Sequence, residues 1–80
     1  MTKEEFKSNI KTAADSTRRD YPELRKGQAI FIQADKYEHI ARIAMDYGVD
    51  CFYDDTMIEP FLDKCWEIYS KTFINDVQNN

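Results

Sequence analysis

Cysteine, glycine and histidine are scarce in this chain, which has two cysteines, two glycines and one histidine in 80 residues. Two thiols are too few for the disulfide framework of a small secreted domain. With one imidazole they also fall short of the four ligands that a structural zinc site needs. A phosphate-binding loop requires more glycines and a preceding strand. The sequence therefore disfavours a disulfide scaffold, a zinc module and a phosphate-loop enzyme.

Long apolar runs and clustered positive charge are also missing. No run approaches the roughly 20 apolar residues of a membrane-spanning helix, and the N-terminus lacks the apolar core of a signal peptide. Eleven Lys and Arg stand against fifteen Asp and Glu, for a net charge of −4. Because binding to a nucleic-acid backbone requires clustered cations, direct nucleic-acid binding is not expected. We expect a soluble, cytoplasmic protein with no membrane segment and no cofactor.

Aromatic residues, in contrast, are abundant: five Phe, five Tyr and one Trp. Large rings supply much buried area per residue, which offsets the small size of the chain. We expect a single domain over residues 1–80, with residues 75–80 as a frayed tail. A domain this small often completes its core with a second copy, so a homodimer is possible.

The apolar spacing predicts an all-α domain of three or four helices, at about residues 2–20, 24–34, 36–47 and 56–75. Three pairs have the spacing of a capping box at a helix start: Thr2 with Glu5, Asp35 with Glu38, and Thr56 with Glu59. Gly48 is placed to end the third helix. The second and third helices could instead form one bent helix over residues 24–47. The first helix has a narrow apolar face and is expected to contribute least to the core.

The segment from Asp46 to Asp55 contains three aromatics, Tyr47, Phe52 and Tyr53, and a cysteine between acidic residues. Its acids, with Glu59, could hold a hard cation through oxygen ligands, although their spacing does not match an EF-hand loop. Helix capping explains most of them without a metal. Cys65 is expected in the core and His39 on the surface, with no nucleophile and base at usable spacing. We therefore predict no catalytic residue and no metal site.

A compact polar group, Arg25, Gly27 and Gln28, stands at the start of an apolar helix. We predict that Gly27 allows another helix to approach closely, while Arg25 and Gln28 bond to carbonyls or acids of the loop that contains Asp50 and Asp54. The two distinctive segments would then meet in space.

Two motifs in order, the run Arg25 to Phe31 (R-x-G-Q-x-x-F) and the run Asp50 to Asp55 (D-C-F-Y-D-D), resemble short uncharacterised proteins of tailed phages and prophages. The resemblance spans about residues 21–65. Members usually have an asparagine where this chain has Ile32. The resemblance implies a phage or prophage origin, and proteins of this kind often act by binding and blocking a host or defence protein.

Three function classes remain open at this point. The first is a non-enzymatic interaction module that modulates a host or defence protein through exposed aromatics and the acidic half of the chain. The second is an acidic inhibitor that mimics nucleic acid, and the third is a small ligand- or metal-binding protein that uses Asp46 to Glu59. For the first class the candidate binding residues are Asp50, Cys51, Phe52, Tyr53, Asp54, Trp66 and Tyr69.

Overall fold

The computed structural model describes residues 1–74, and within them the chain forms four α-helices and no strand, so the all-α prediction is confirmed. The helices are α1 (Lys3–Asp20), α2 (Lys26–Ala34), α3 (Ile40–Asp46) and α4 (Ile58–Tyr69). A 3-10 turn (Asp55–Met57) precedes α4 and a π-helical turn (Ser70–Ile74) follows it. The predicted tail at 75–80 and the last residue of the predicted fourth helix lie outside the described residues.

The first predicted helix start is confirmed in full. The Glu5 backbone N–H donates to the Thr2 hydroxyl at 3.1 Å, and the Thr2 N–H donates to the Glu5 carboxylate at 2.8 Å. The Thr2 N–H holds the pKa of Glu5 below its usual value. Two backbone donors that no helical carbonyl can reach are thus satisfied by side chains.

Between α2 and α3 the capping-box prediction is wrong. The chain passes through two left-handed residues, Glu38 (φ 56°) and His39 (φ 60°), so α3 begins at Ile40 instead of residue 36. The Asp35 carboxylate bonds the side chains of Arg42 (3.0 Å) and His39 (3.4 Å) instead of capping a helix. This turn makes α2 and α3 two helices, and the bent-helix alternative is wrong.

The α3 helix ends as expected, but α4 begins differently. Gly48 has φ +88° and its N–H donates to the Met45 carbonyl at 2.9 Å, which confirms it as the terminating residue. The predicted box of Thr56 and Glu59 does not form. Thr56 bonds the carboxylate of Asp54 instead, and Glu59 pairs with lysines of α1.

The core draws on all four helices, and α1 contributes more than expected. Phe6 is fully buried and contacts the rings of Tyr37, Trp66 and Tyr69 at centroid distances of 5.2, 5.4 and 5.5 Å. The fully or nearly fully buried apolar residues are Phe6, Ile10, Ala14, Ala29, Ile30, Ala34, Ile40, Ala41, Ala44, Cys51, Ile58, Phe61, Leu62 and Cys65. Small alanines let α2 and α3 approach their neighbours, while the rings fill the remaining space.

Ion pairs connect α1 to α4 along one side of the domain. Lys3 and Lys7 reach Asp63 at 3.1 and 2.9 Å. Lys7 and Lys11 each reach Glu59 at 2.6 Å. Residue numbers rise along α1 as they fall along α4, so the two helices are antiparallel. The lysines hold the pKa of both carboxyl groups below the usual range.

Candidate interaction surface

The start of α2 and the segment 50–55 lie against each other, as the sequence predicted. The Gly27 N–H donates to the Asp55 carboxylate at 3.0 Å, and the Cys51 thiol donates to the Gly27 carbonyl at 3.3 Å. The Arg25 guanidinium donates to the Phe52 carbonyl. A side chain on Gly27 would overlap the Cys51 carbonyl oxygen, so glycine is required here for close approach. The segment that approaches is the loop at Cys51 and not the helix that was predicted.

Gln28 plays a different part from the predicted one. Its side-chain oxygen accepts the Arg25 backbone N–H at 2.9 Å, three residues back along the chain. This bond satisfies an amide just before the first turn of α2, in the way a capping glutamine does. The expectation that Gln28 bonds the loop is therefore wrong, whereas Arg25 does bond it.

Two of the loop's own carboxylates hold its backbone. Asp50 accepts the Phe52 N–H at 2.9 Å, which closes a tight turn. Asp54 accepts both the hydroxyl (2.6 Å) and the N–H (3.0 Å) of Thr56, and these bonds lower its pKa. Asp54 therefore caps the turn before α4.

The acids that could have held a cation are bonded to separate partners. Asp50 and Asp54 bond the loop, Asp55 bonds α2, and Glu59 pairs with α1. Within residues 1–74 no group of three or more His, Cys, Asp or Glu side chains converges closely enough to hold a metal ion.

Both cysteines are buried and free of disulfides. Burial raises the pKa of the Cys51 thiol to about 12, and burial also raises that of Cys65. A thiol that stays protonated at neutral pH is a poor nucleophile and a poor metal ligand. Cys51 therefore acts as a core residue that ties the loop to α2, and its side chain is not available on the surface.

A continuous series of aromatic rings runs from the core to the tip of the loop. Phe61 is buried and stacks on Phe31 at 5.6 Å, Phe31 meets Phe52 edge to face at 5.5 Å, and Phe52 meets Tyr53 at 5.0 Å. Burial decreases along the series: Phe31 and Phe52 are half-buried and Tyr53 is 78% exposed. We call residues 50–55 the aromatic loop; Tyr53 is its exposed tip.

Trp66 and Tyr69, also predicted as binding residues, lie in a different cluster. Both are half-buried against Phe6, and Tyr69 also meets Tyr37 at 5.4 Å. Among the described rings, none of the contacts joins this cluster to Phe52 or Tyr53. The structure thus brings together Arg25, Gly27 and the aromatic loop, and leaves Trp66 and Tyr69 apart from them.

A second exposed apolar feature, which the sequence did not reveal, lies between α3 and the C-terminal half of α4. Ile43, Tyr47 and Ile68 line a groove of about 300 Å³ whose rim carries Lys64 and Lys71. The Lys64 ammonium lies 4.8 Å from the centre of the Tyr47 ring. We call this feature the α3–α4 groove. Its sequence signal is weak, because Ile43 and Tyr47 fit the apolar spacing of a short buried helix equally well.

The chain matches no protein-family model, no curated protein and no solved structure. Across residues 1–74, none of the helices combines the length and the apolar character needed to cross a bilayer.

Proposed function

We propose that this chain is a non-enzymatic protein–protein interaction module whose contact residue is Tyr53. The observation that carries the proposal is an aromatic side chain left 78% exposed on a loop that three hydrogen bonds tie to α2. Interface energy concentrates in a few aromatic and arginine side chains that fill pockets on a partner. Because the loop is already held in shape, little conformational entropy remains to be lost on binding.

The surroundings of Tyr53 define the partner's chemistry. Asp50 and Asp54 lie on either side of it in the chain, and Arg25 sits behind the loop, bonded to the Phe52 carbonyl. An apolar pocket with lysine or arginine at its rim would bury the ring and complement the two carboxylates. A partner with an acidic rim would be repelled.

The side chains best suited to chemistry have structural tasks, which supports an interaction module over an enzyme or a ligand-binding protein. Both thiols are buried with raised pKa values. His39 lies in the turn before α3, beside Asp35. The loop carboxylates bond backbone groups.

A nucleic-acid mimic would need an uncompensated row of acids. On α4, Glu59 and Asp63 are paired with Lys3, Lys7 and Lys11. This pairing removes much of the negative field that a mimic would present to a basic groove, so the pattern favours the interaction module.

The two motifs that meet in the structure are the same two that resemble phage and prophage proteins. On that basis we propose that the partner is a host or defence protein, and that the chain modulates it in the host-cell cytoplasm. The loop is then a contact surface held in one shape, and its tip, Tyr53, binds the partner.

Affinity capture from host lysate with three versions of the chain tests the proposal. Wild type should retain a specific protein, and Tyr53→Ala should weaken its binding by about 30-fold, the loss expected for a contact worth about 2 kcal/mol. The matched control is Tyr21→Ala, since Tyr21 is another exposed tyrosine (57%) outside the loop. Circular dichroism should show the same melting temperature for all three.

Two results would contradict the proposal. One is that nothing captured by the folded wild type depends on Tyr53. The other is that Tyr21→Ala and Tyr53→Ala weaken capture equally, which would mean that general stickiness of exposed rings explains the binding.

A further inference from the structure

The α3–α4 groove has the chemistry that the aromatic loop requires of a partner. Ile43 and Ile68 supply aliphatic walls, and Tyr47, 66% exposed, supplies an aromatic one. Lys64 and Lys71 both pair with Glu67, at 3.1 and 3.4 Å. Two ammonium groups sharing one carboxylate leave the rim with one excess positive charge.

The aromatic loop carries the opposite charge. It contributes Asp50, Asp54 and Asp55, of which Asp55 lies 3.8 Å from the Arg25 guanidinium. Three carboxylates against the one guanidinium of Arg25 leave the loop with a net charge of −2 beside the exposed ring in the chain. An acidic aromatic tip and a lysine-rimmed apolar groove are complementary in charge and in polarity.

The loop does not fill the groove of its own molecule. No residue of the aromatic loop lines the groove, whose wall at Ile68 lies ten residues beyond the start of α4, about 15 Å along the helix at 1.5 Å per residue. Tyr53 is accordingly left exposed in the structure.

We infer that a second copy of this chain docks its Tyr53 into the α3–α4 groove. Each such contact joins the loop of one copy to the groove of another, and these two surfaces associate either once per copy, head to tail, or twice in a reciprocal two-fold dimer. The inference rests on the proposed role of Tyr53 as the contact residue. It adds regulation: at high concentration self-association covers the loop that a host partner would otherwise bind.

Two single variants and their mixture test this arrangement. Tyr53→Ala removes the aromatic tip and leaves the groove intact. Ile43→Asp places a carboxylate in the apolar wall of the groove and leaves the tip intact. Ile43 is 39% exposed, so the change spares the core. Sedimentation velocity at concentrations on the order of 10 μM to 1 mM should show wild type associating and each variant weakened by about tenfold or more.

The mixture gives the sharpest result. Tyr53→Ala and Ile43→Asp, combined in equal amounts, should form a one-to-one dimer that cannot grow, because one intact loop meets one intact groove. Ile32→Asp is the control for Ile43→Asp, since Ile32 is equally exposed (37%) but does not line the groove, and it should associate like wild type. Lys71→Glu should weaken association by reversing charge at the rim.

Three outcomes would overturn the inference: a monomeric wild type over the whole range, association that persists in either single variant, or a mixture that yields no dimer. Capture of a host protein by Ile43→Asp separates this inference from the proposed function. If capture remains dependent on Tyr53 while self-association is absent, only the self-docking is refuted. If self-association behaves as expected and capture fails, only the host-binding role is refuted.

Discussion

Replacing Gly27 with alanine should destabilise the fold strongly, against the trend of helix propensity. Gly27 is in the first turn of α2, where alanine would ordinarily favour a helix by up to about 1 kcal/mol. The added Cβ, however, would overlap the Cys51 carbonyl oxygen and lie 2.7 Å from the Asp55 carboxylate. The first neighbour is backbone and cannot rotate away.

The magnitude follows from what must move. Forcing a methyl group into a packed site costs about 1–3 kcal/mol. Displacing the loop also stretches the bonds from Gly27 to Asp55 and from Cys51 to Gly27, each worth about 1 kcal/mol. After subtracting the propensity gain, we expect a net loss of about 2–4 kcal/mol. For a domain of this size, at about 4–8 °C per kcal/mol, that corresponds to a fall in melting temperature of roughly 8–32 °C.

Thermal and urea unfolding, followed by circular dichroism, measure this loss. Gly48 provides a control with a different mechanism, because a Cβ there meets open space but the φ of +88° disfavours any side chain. Gly48→Asn should therefore recover most of the stability lost in Gly48→Ala, since asparagine tolerates left-handed geometry. Gly27→Ser should be no more stable than Gly27→Ala. A Gly27→Ala protein as stable as wild type would refute the close approach of the loop to α2.

Three further predictions concern other parts of the domain. Pairing with Lys7 lowers the pKa of the Glu59 and Asp63 carboxyl groups in the folded state, so the stabilisation they give is present above their unfolded pKa values of 4.5 and 3.8 and is lost as pH falls through the lower folded values. Urea unfolding at a series of pH values should show this loss as a fall in the free energy of unfolding. Lys7→Met should make that free energy depend less steeply on pH, and an unchanged pH dependence would contradict the prediction. Glu38→Gly should stabilise the protein by about 0.5–1 kcal/mol, because Glu38 is exposed and its backbone is in the left-handed region, which glycine adopts more easily. The control Ser8→Gly, inside α1, should destabilise the protein. Stabilities in the opposite order would show that the turn is not strained. Both thiols should resist a disulfide reagent at pH 8 until urea unfolds the chain, and rapid labelling of the native protein would contradict their burial.

Sequence patterns predicted the four helices, but they predicted only some of the helix ends, and the reason is physical. The box of Thr2 and Glu5 forms because the start of α1 is exposed and only local bonds compete. The same spacing fails at Asp35, whose carboxylate is used by the side chains of Arg42 and His39 around a left-handed turn. A capping pattern in the sequence shows which local hydrogen bonds are possible at a helix start, whereas tertiary contacts decide which of these bonds form.

The site shows the same division between local and long-range information. That the Arg25 segment and the aromatic loop meet was predictable, because glycine beside polar residues indicates close approach. That Tyr53 is exposed while Trp66 is covered was not predictable, since both are aromatics near acids in the sequence. Phe6, a residue of a mostly charged helix, covers Trp66 and Tyr69, while nothing in residues 1–74 covers Tyr53 to a similar extent.

The cost of holding Tyr53 outside the core gives the strongest argument that its position has a use. An exposed tyrosine ring forgoes the stabilisation that burial of a side chain this large would give. The loop nevertheless fixes it there with carboxylate, thiol and guanidinium bonds that converge on the start of α2. The same bonds stabilise the fold through Gly27 and the buried Cys51, so the loop is more than a flexible connection between α3 and α4. Because they also fix the exposed tip, the side chain that we propose as the contact is ordered before any partner binds.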